Sequence, residues 1–204
     1  KLMMFGKGQG RALGLVEGTS VIDLASVDAS LPKDLLTLIE AGSAGLAAVR
    51  NAALKAPASA RLALASVKPA LPIASPPKFV CVGLNYLGHP PPTYPSFFPR
   101  FATSLVADGE PVIRPRASIQ LDYECELAIV IGKRGRHIPE SKALDHIFGY
   151  TIFNDVSVRD FQRKTSHWTP GKNYDGTGPL GPVLVTADPL PAGASRLNNM
   201  TRVN

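Results

Sequence analysis

The stretch Leu121-Asp122-Tyr123-Glu124-Cys125-Glu126-Leu127 sets three carboxylates at alternate positions. In a strand, residues two apart share a face, so Asp122, Glu124 and Glu126 project one way while Tyr123, Cys125 and Leu127 project the other. Like charges at that spacing repel, and a solvent-washed face is the ordinary way to screen them. The run continues as Leu-Ala-Ile-Val-Ile, apolar on both faces, which predicts a strand entering the interior. Partly buried carboxylates need a cation. Oxygen donors without a neighbouring histidine point to a hard ion, Mg²⁺, Mn²⁺ or Ca²⁺, and away from zinc. Asp155, at the end of Tyr-Thr-Ile-Phe-Asn-Asp, can complete such a site from a neighbouring strand. Taken alone, it reads equally well as a helix N-cap.

Around these carboxylates stand linked motifs in a fixed order: VGLNYxxH at 82–89, LDYExELAIVIGKRGRxIP at 121–139, GYTIFNDVSVRDFQ at 149–162 and GKNYDGTGPLGP at 171–182. Together they resemble the fumarylacetoacetate hydrolase family from about Lys78 onward, in particular its bacterial acylpyruvate hydrolases and 2-hydroxyhepta-2,4-diene-1,7-dioate isomerases. The preceding segment resembles the small strand-rich domain found before the catalytic domain in many bacterial members. The resemblance implies a mixed β-roll and a Mg²⁺- or Mn²⁺-dependent enzyme acting on β-diketo or 2-oxo acids, often as a homodimer. By position, Glu124, Glu126 and Asp155 match the metal ligands and Lys172 the active-site lysine. Arg159 and Gln162 match substrate-contacting positions, and His89 matches the base beside a mobile lid.

Those roles are chemically coherent. Cleaving a C–C bond beside a carbonyl leaves an enolate, whose charge a chelating cation and a lysine stabilise as it forms. A histidine is suited to activating water near neutrality, and a loop after a strand is a usual place to carry one. Outside its motif, His89 reads as a surface residue. The leading expectation is therefore a hydrolase of a small anionic diketo or 2-oxo acid. Isomerisation or decarboxylation of 2-oxo-dienoates at the same metal is the nearest rival, and a non-catalytic basic nucleic-acid-binding module a more distant one.

Two departures from the family pattern matter. Its hydrolases carry a glutamate three residues after the lid histidine, where this chain has Pro92. Consecutive prolines cannot form a lid helix, so lid residues are expected to be missing between His89 and the Pro-Pro-Thr-Tyr-Pro segment. The family also continues beyond the final Arg-Val-Asn, and a longer working protein is expected.

The elements that must position these groups read as mainly β with short helices, an α+β class. Residues 13–24 form a hairpin about Gly-Thr-Ser, 34–49 a helix, and the Ala-, Ser- and Pro-rich 52–77 a connector or edge. A soft boundary near Ser75 separates a small N-terminal domain (1–74) from the catalytic domain (75–204). Strands are expected at Lys78–Gly83, Gln120–Ile131, Gly149–Asn154 and Pro182–Thr186, with helix at Lys142–Ile147 and Ser157–Lys164. The 19 prolines and 18 glycines among 204 residues disfavour a helix bundle and suit short strands with many corners.

With 45% hydrophobic and 19% charged residues, the chain is globular rather than disordered. Its 22 basic against 16 acidic residues give +6, but scattered, without a block of like charge; this suits an anionic substrate better than nucleic acid. No apolar run spans a bilayer, and Lys1–Met4 do not begin a signal peptide, so neither membrane nor secretion is expected. Cys81 and Cys125 read as reduced core residues of a cytoplasmic protein. The Gly-Thr-Gly-Pro-Leu-Gly run is no Rossmann turn, because Pro179 intervenes and a strand follows. His137, His146 and His167 lack ligand spacing, Met3 and Met4 read as core, and Cys125 between two glutamates makes a poor nucleophile.

Overall fold

The computed structural model describes residues 1–86, 88–90 and 93–202. Its first half is a five-stranded antiparallel sheet in the order β4-β3-β2-β1-β5, built from β1 (Leu2–Lys7), β2 (Gly10–Glu17), β3 (Ser20–Asp23), β4 (Arg61–Ala63) and β5 (Pro69–Ala70). The expected hairpin is β2–β3, paired from Gly14↔Asp23 to Glu17↔Ser20, with Gly18 supplying the left-handed turn at φ 55°. The 52–77 segment contributes the two outer strands, so its edge reading holds.

Between β3 and β4 lie a single turn, α1 (Leu24–Val27), and α2 (Leu35–Leu54). Asp34 caps α2 by accepting the Thr37 N–H at 2.8 Å, and Gly42 kinks it at φ 59°. Alternation in β1 sorts the core. Leu2 and Met4 join Leu35, Leu38 and Ile39 of α2, whereas Met3 and Phe5 pack on the other face with Ala12 and Val21. Phe148 and Leu184, from the far half of the chain, belong to the α2 cluster. Leu2 and Leu184 also exchange two backbone hydrogen bonds of 2.8 Å.

The second half begins with a hairpin of β6 (Val80–Gly83) and β7 (Ser96–Pro99), then β8 (Leu105–Ala107). The expected buried strand is buried only at Cys81, because a two-stranded hairpin covers one face; Val80 is 56% exposed. Next come β9 (Leu121–Asp122), β10 (Cys125–Ile131), β11 (Ile147–Asn154) and β12 (Ser157–Val158). Two short helices, α3 (Arg159–Gln162) and α4 (Thr169–Lys172), precede β13 (Gly178–Leu180) and β14 (Val185–Thr186). The main sheet runs β10-β11-β13-β8, with β14 also on β11. The fold is mainly β with short helices, as the sequence predicts.

Four local expectations are corrected. The strand expected over 120–131 breaks at Tyr123 and Glu124, because β9 pairs with β12 while β10 pairs with β11. The Leu-Ala-Ile-Val-Ile run does not enter the interior: β10 is an edge strand, leaving Ile129 and Ile131 52% and 60% exposed. Asp155 caps no helix, since β12 follows it. Of the two segments expected as helix, 142–147 is a 3₁₀ stretch over Glu140–His146 and 157–164 shrinks to the single turn of α3. Among the described residues no helix is long and apolar enough to cross a membrane. Pro92 lies outside the described residues.

Candidate active site

The break between β9 and β10 faces the break between β11 and β12, and the two kinks bond to each other. The Asp155 N–H donates to the Glu124 carbonyl at 2.8 Å, and the Glu124 N–H donates to Asn154 Oδ1 at 3.0 Å. Two carboxylates are thereby aimed into one cleft of about 540 Å³. Glu124, Glu126, Asp155, Lys172, Arg159, Gln162 and His89 all line it, although they come from five separate stretches of chain.

Lys172 forms the floor. Its side chain is 1% exposed, and Nζ donates to Asp155 Oδ2 at 2.6 Å and Glu124 Oε2 at 2.8 Å, with the Asp155 carbonyl at 3.4 Å. The Gly-Lys-Asn triplet explains this placement residue by residue. A Cβ on Gly171 would lie 2.4 Å from the Gln162 backbone nitrogen, so only glycine lets α4 press against α3. Asn173 pins the end of α4 by accepting the Phe101 N–H at 2.7 Å and donating to the Pro99 carbonyl at 3.0 Å. Trp168, at the start of α4, lies against β6, where a Cβ on Gly83 would be 2.0 Å away.

Arg159 stands beside this floor. It donates to Asp122 through Nε at 2.8 Å and through Nη1 to Glu124 and to Gln162 Oε1, the latter at 3.0 Å. Arg100, which sequence reasoning overlooked, is buried on the far side of Asp155, 3.5 Å from Oδ1. Gly178 makes room for it: a Cβ there would lie 2.5 Å from Nη2. Tyr86 was also missed; its hydroxyl accepts the Leu127 N–H at 2.9 Å, tying the loop that carries His89 to the β10 edge. Arg100 stands in no motif, and Tyr86, though part of VGLNYxxH, acts by a long-range contact that the motif does not reveal. His89 sits at the mouth, and among the described residues no carboxylate pairs with it.

The carboxyls are not equivalent. Burial raises Glu124, but Lys172 and Arg159 outweigh it and hold this carboxyl below its ordinary value. Burial, then the Asp155 and Glu124 charges, push Glu126 up to about 7. Burial also raises Asp155, against the pull of Lys172 and Arg100. Asp155 Oδ1 is buried with no hydrogen-bond donor, the ion pair to Arg100 being too long for one. Glu126, which has no ion-pair partner among the described residues, and the orphaned Asp155 oxygen fit a cation. Donor atoms of Cys81, Glu126 and Asp155 lie within 4.8 Å of one another, whereas both oxygens of Glu124 are turned to Lys172, Arg159 and Ser157.

The chain is similar to known proteins in sequence and in fold. The family model described as "Fumarylacetoacetate (FAA) hydrolase C-terminal" matches residues 78–204. Human "Oxaloacetate tautomerase FAHD2A, mitochondrial" is 40% identical over 206 residues, covering 96% of this chain and 64% of the human one. The fumarylacetoacetate hydrolase of psychrophilic Exiguobacterium antarcticum superposes with a TM-score of 0.75 at 32% identity, over 92% of this chain and 66% of that one. The maleylpyruvate hydrolase of Sphingobium sp. SYK-6, solved with manganese(II) and pyruvate, gives 0.74 at 27% identity, over 91% and 68%. The chain spans 57% of the Xenopus laevis oxaloacetate tautomerase and 64% of the human one, less than two thirds of either.

Proposed function

The chain belongs to the fumarylacetoacetate hydrolase family, and on that footing we propose that it moves a proton at the carbon beside the keto group of a small anionic 2-oxo acid, interconverting the keto and enol forms of an oxaloacetate-like dicarboxylate. The observation that carries this reading is the buried Lys172 ammonium at the cleft floor, fixed by Glu124 and Asp155. Removing a proton beside a ketone throws negative charge onto the keto oxygen, and a preorganised donor at that oxygen lowers the barrier. The third N–H of Lys172 has only the 3.4 Å contact to a carbonyl and is the donor available to substrate. Glu126 and Asp155, with Glu124 beside them, would hold Mg²⁺ or Mn²⁺, which when bound supplies Lewis-acid stabilisation of the same charge.

His89 is exposed and lines the same cleft, and an imidazole there can take the carbon proton and return it to oxygen. Arg159 orients Gln162 and offers positive charge to a substrate carboxylate. Tautomerisation asks only for this proton shuttle. Hydrolysis needs in addition a water activated by a supported base, and among the described residues His89 has no carboxylate support. C–C cleavage is the second reading, favoured by the likeness to maleylpyruvate hydrolase.

The two readings separate in one ultraviolet assay with Mn²⁺. Enol–keto exchange of oxaloacetate should accelerate and stop on adding EDTA, with no pyruvate released from acylpyruvates. Acylpyruvate cleavage without faster exchange would replace the first reading with the second.

A further inference from the structure

We propose that Cys81 is a sulfur donor to the cation held by Glu126 and Asp155, so that this site takes thiophilic divalent ions such as Zn²⁺, Cd²⁺ or Co²⁺ through a mixed sulfur and oxygen set. The inference rests on the metal site proposed above and departs from the all-oxygen set expected from sequence. Its first support is geometric. Cys81, Glu126 and Asp155 are the one group of such donors gathered among the described residues, with ligand atoms all within 4.8 Å.

The second support is the wall Cys81 stands in. Strand β6 alternates, so Cys81 points inward opposite Phe98 while Val80 is open to solvent. Phe98, Phe153 and Leu180 surround the sulfur in an apolar cluster, which leaves the carboxylate side as its polar outlet. The third is the orphaned Oδ1 of Asp155, wholly buried in the same place. The fourth is competition. Arg159, Ser157 and Lys172 hold both oxygens of Glu124, so the third donor already facing Glu126 and Asp155 is sulfur.

When the metal–sulfur bond forms, the thiol proton leaves to solvent and sulfur binds as thiolate. Thiolate favours softer ions, while Mg²⁺ takes oxygen donors and keeps its waters. Cys81 therefore discriminates between cations without being needed for the hardest one.

The test uses Cys125→Ser, in which Cys81 is the sole thiol, titrated with Cd²⁺ and with Co²⁺. The expected result is a saturable sulfur-to-metal charge-transfer band in the near ultraviolet, lost in the Cys81→Ser/Cys125→Ser pair while calorimetric Mg²⁺ binding persists. Cadmium NMR gives a second readout: an oxygen-only shift in the unsubstituted chain overturns the proposal, and the expected result is a sulfur-bound shift there that persists in Cys125→Ser. Saturable Cd²⁺ binding without the band likewise overturns it but leaves the metal site standing. Failure of Cd²⁺, Co²⁺, Mg²⁺ and Mn²⁺ alike to bind overturns both.

Discussion

The two five-stranded sheets of this chain are stabilised by different physics. The N-terminal sheet buries hydrocarbon on both faces, with Leu2 and Met4 against α2 and Met3 and Phe5 opposite, and its buried charge Asp23 is answered by Lys7 and Ser26. The sheet carrying the site does the reverse. It buries Asp155, Lys172 and Arg100 together and leaves Ile129, Ile131 and Ile152 largely open. Apolar burial tolerates changes of pH and ions; buried charge depends on each partner remaining in place. A scaffold half and a chemical half are thus distinguished by how each would fail.

The largest effect should follow from Lys172→Met, which strands Glu124 and Asp155. Stability is expected to fall by about 3–5 kcal/mol in thermal or urea melts, with turnover lost. A variant melting like the parent would show that the two carboxylates do not depend on this ammonium. In the other half, Leu38→Ala should cost a comparable ~2–5 kcal/mol yet leave kcat unchanged at temperatures where the protein stays folded. A kcat loss there would erase the distinction between the halves.

Gly171→Ala sharpens the contrast from within the site. Separating α3 from α4 should lower kcat/KM by about 10²-fold, the usual scale for misplacing a catalytic group by an ångström, with a smaller stability loss of about 1–3 kcal/mol. The smallest effect is expected at Asp23. Burial raises its carboxyl, but the hydrogen bonds from Lys7 and Ser26 hold it below the ordinary value. Its contribution is therefore complete above the unfolded carboxyl pKa and is lost as pH falls through the folded one. Urea melts across the acid range should show a steeper decline in the parent than in Lys7→Met; equal slopes in both would remove Asp23 from the account.

Much of this was legible in residues that act locally. The Gly-Thr turn and the helix starting after Asp34 depend on neighbours in sequence, and each appears where its pattern places it; the three carboxylates share one cleft although the strand expected to carry them is broken. What stayed hidden depends on partners far along the chain. Alternation cannot show that Asp122 pairs toward Ser157 while Cys125 pairs toward Asn154, so the break that aims Glu124 was invisible. Nor does an apolar run reveal whether its strand is central or at an edge, since sheet order decides that. Arg100 and Cys81 gained their place only when β6 and β7 folded over Asp155.

The paired hydrogen bonds between Leu2 and Leu184, with Phe148 and Leu184 seated in the α2 cluster, act as a clasp independent of the covalent connector. A single nick in the 71–78 stretch severs neither contact. The two pieces would stay joined across that seam, and the seam rather than the connector is where the halves are held.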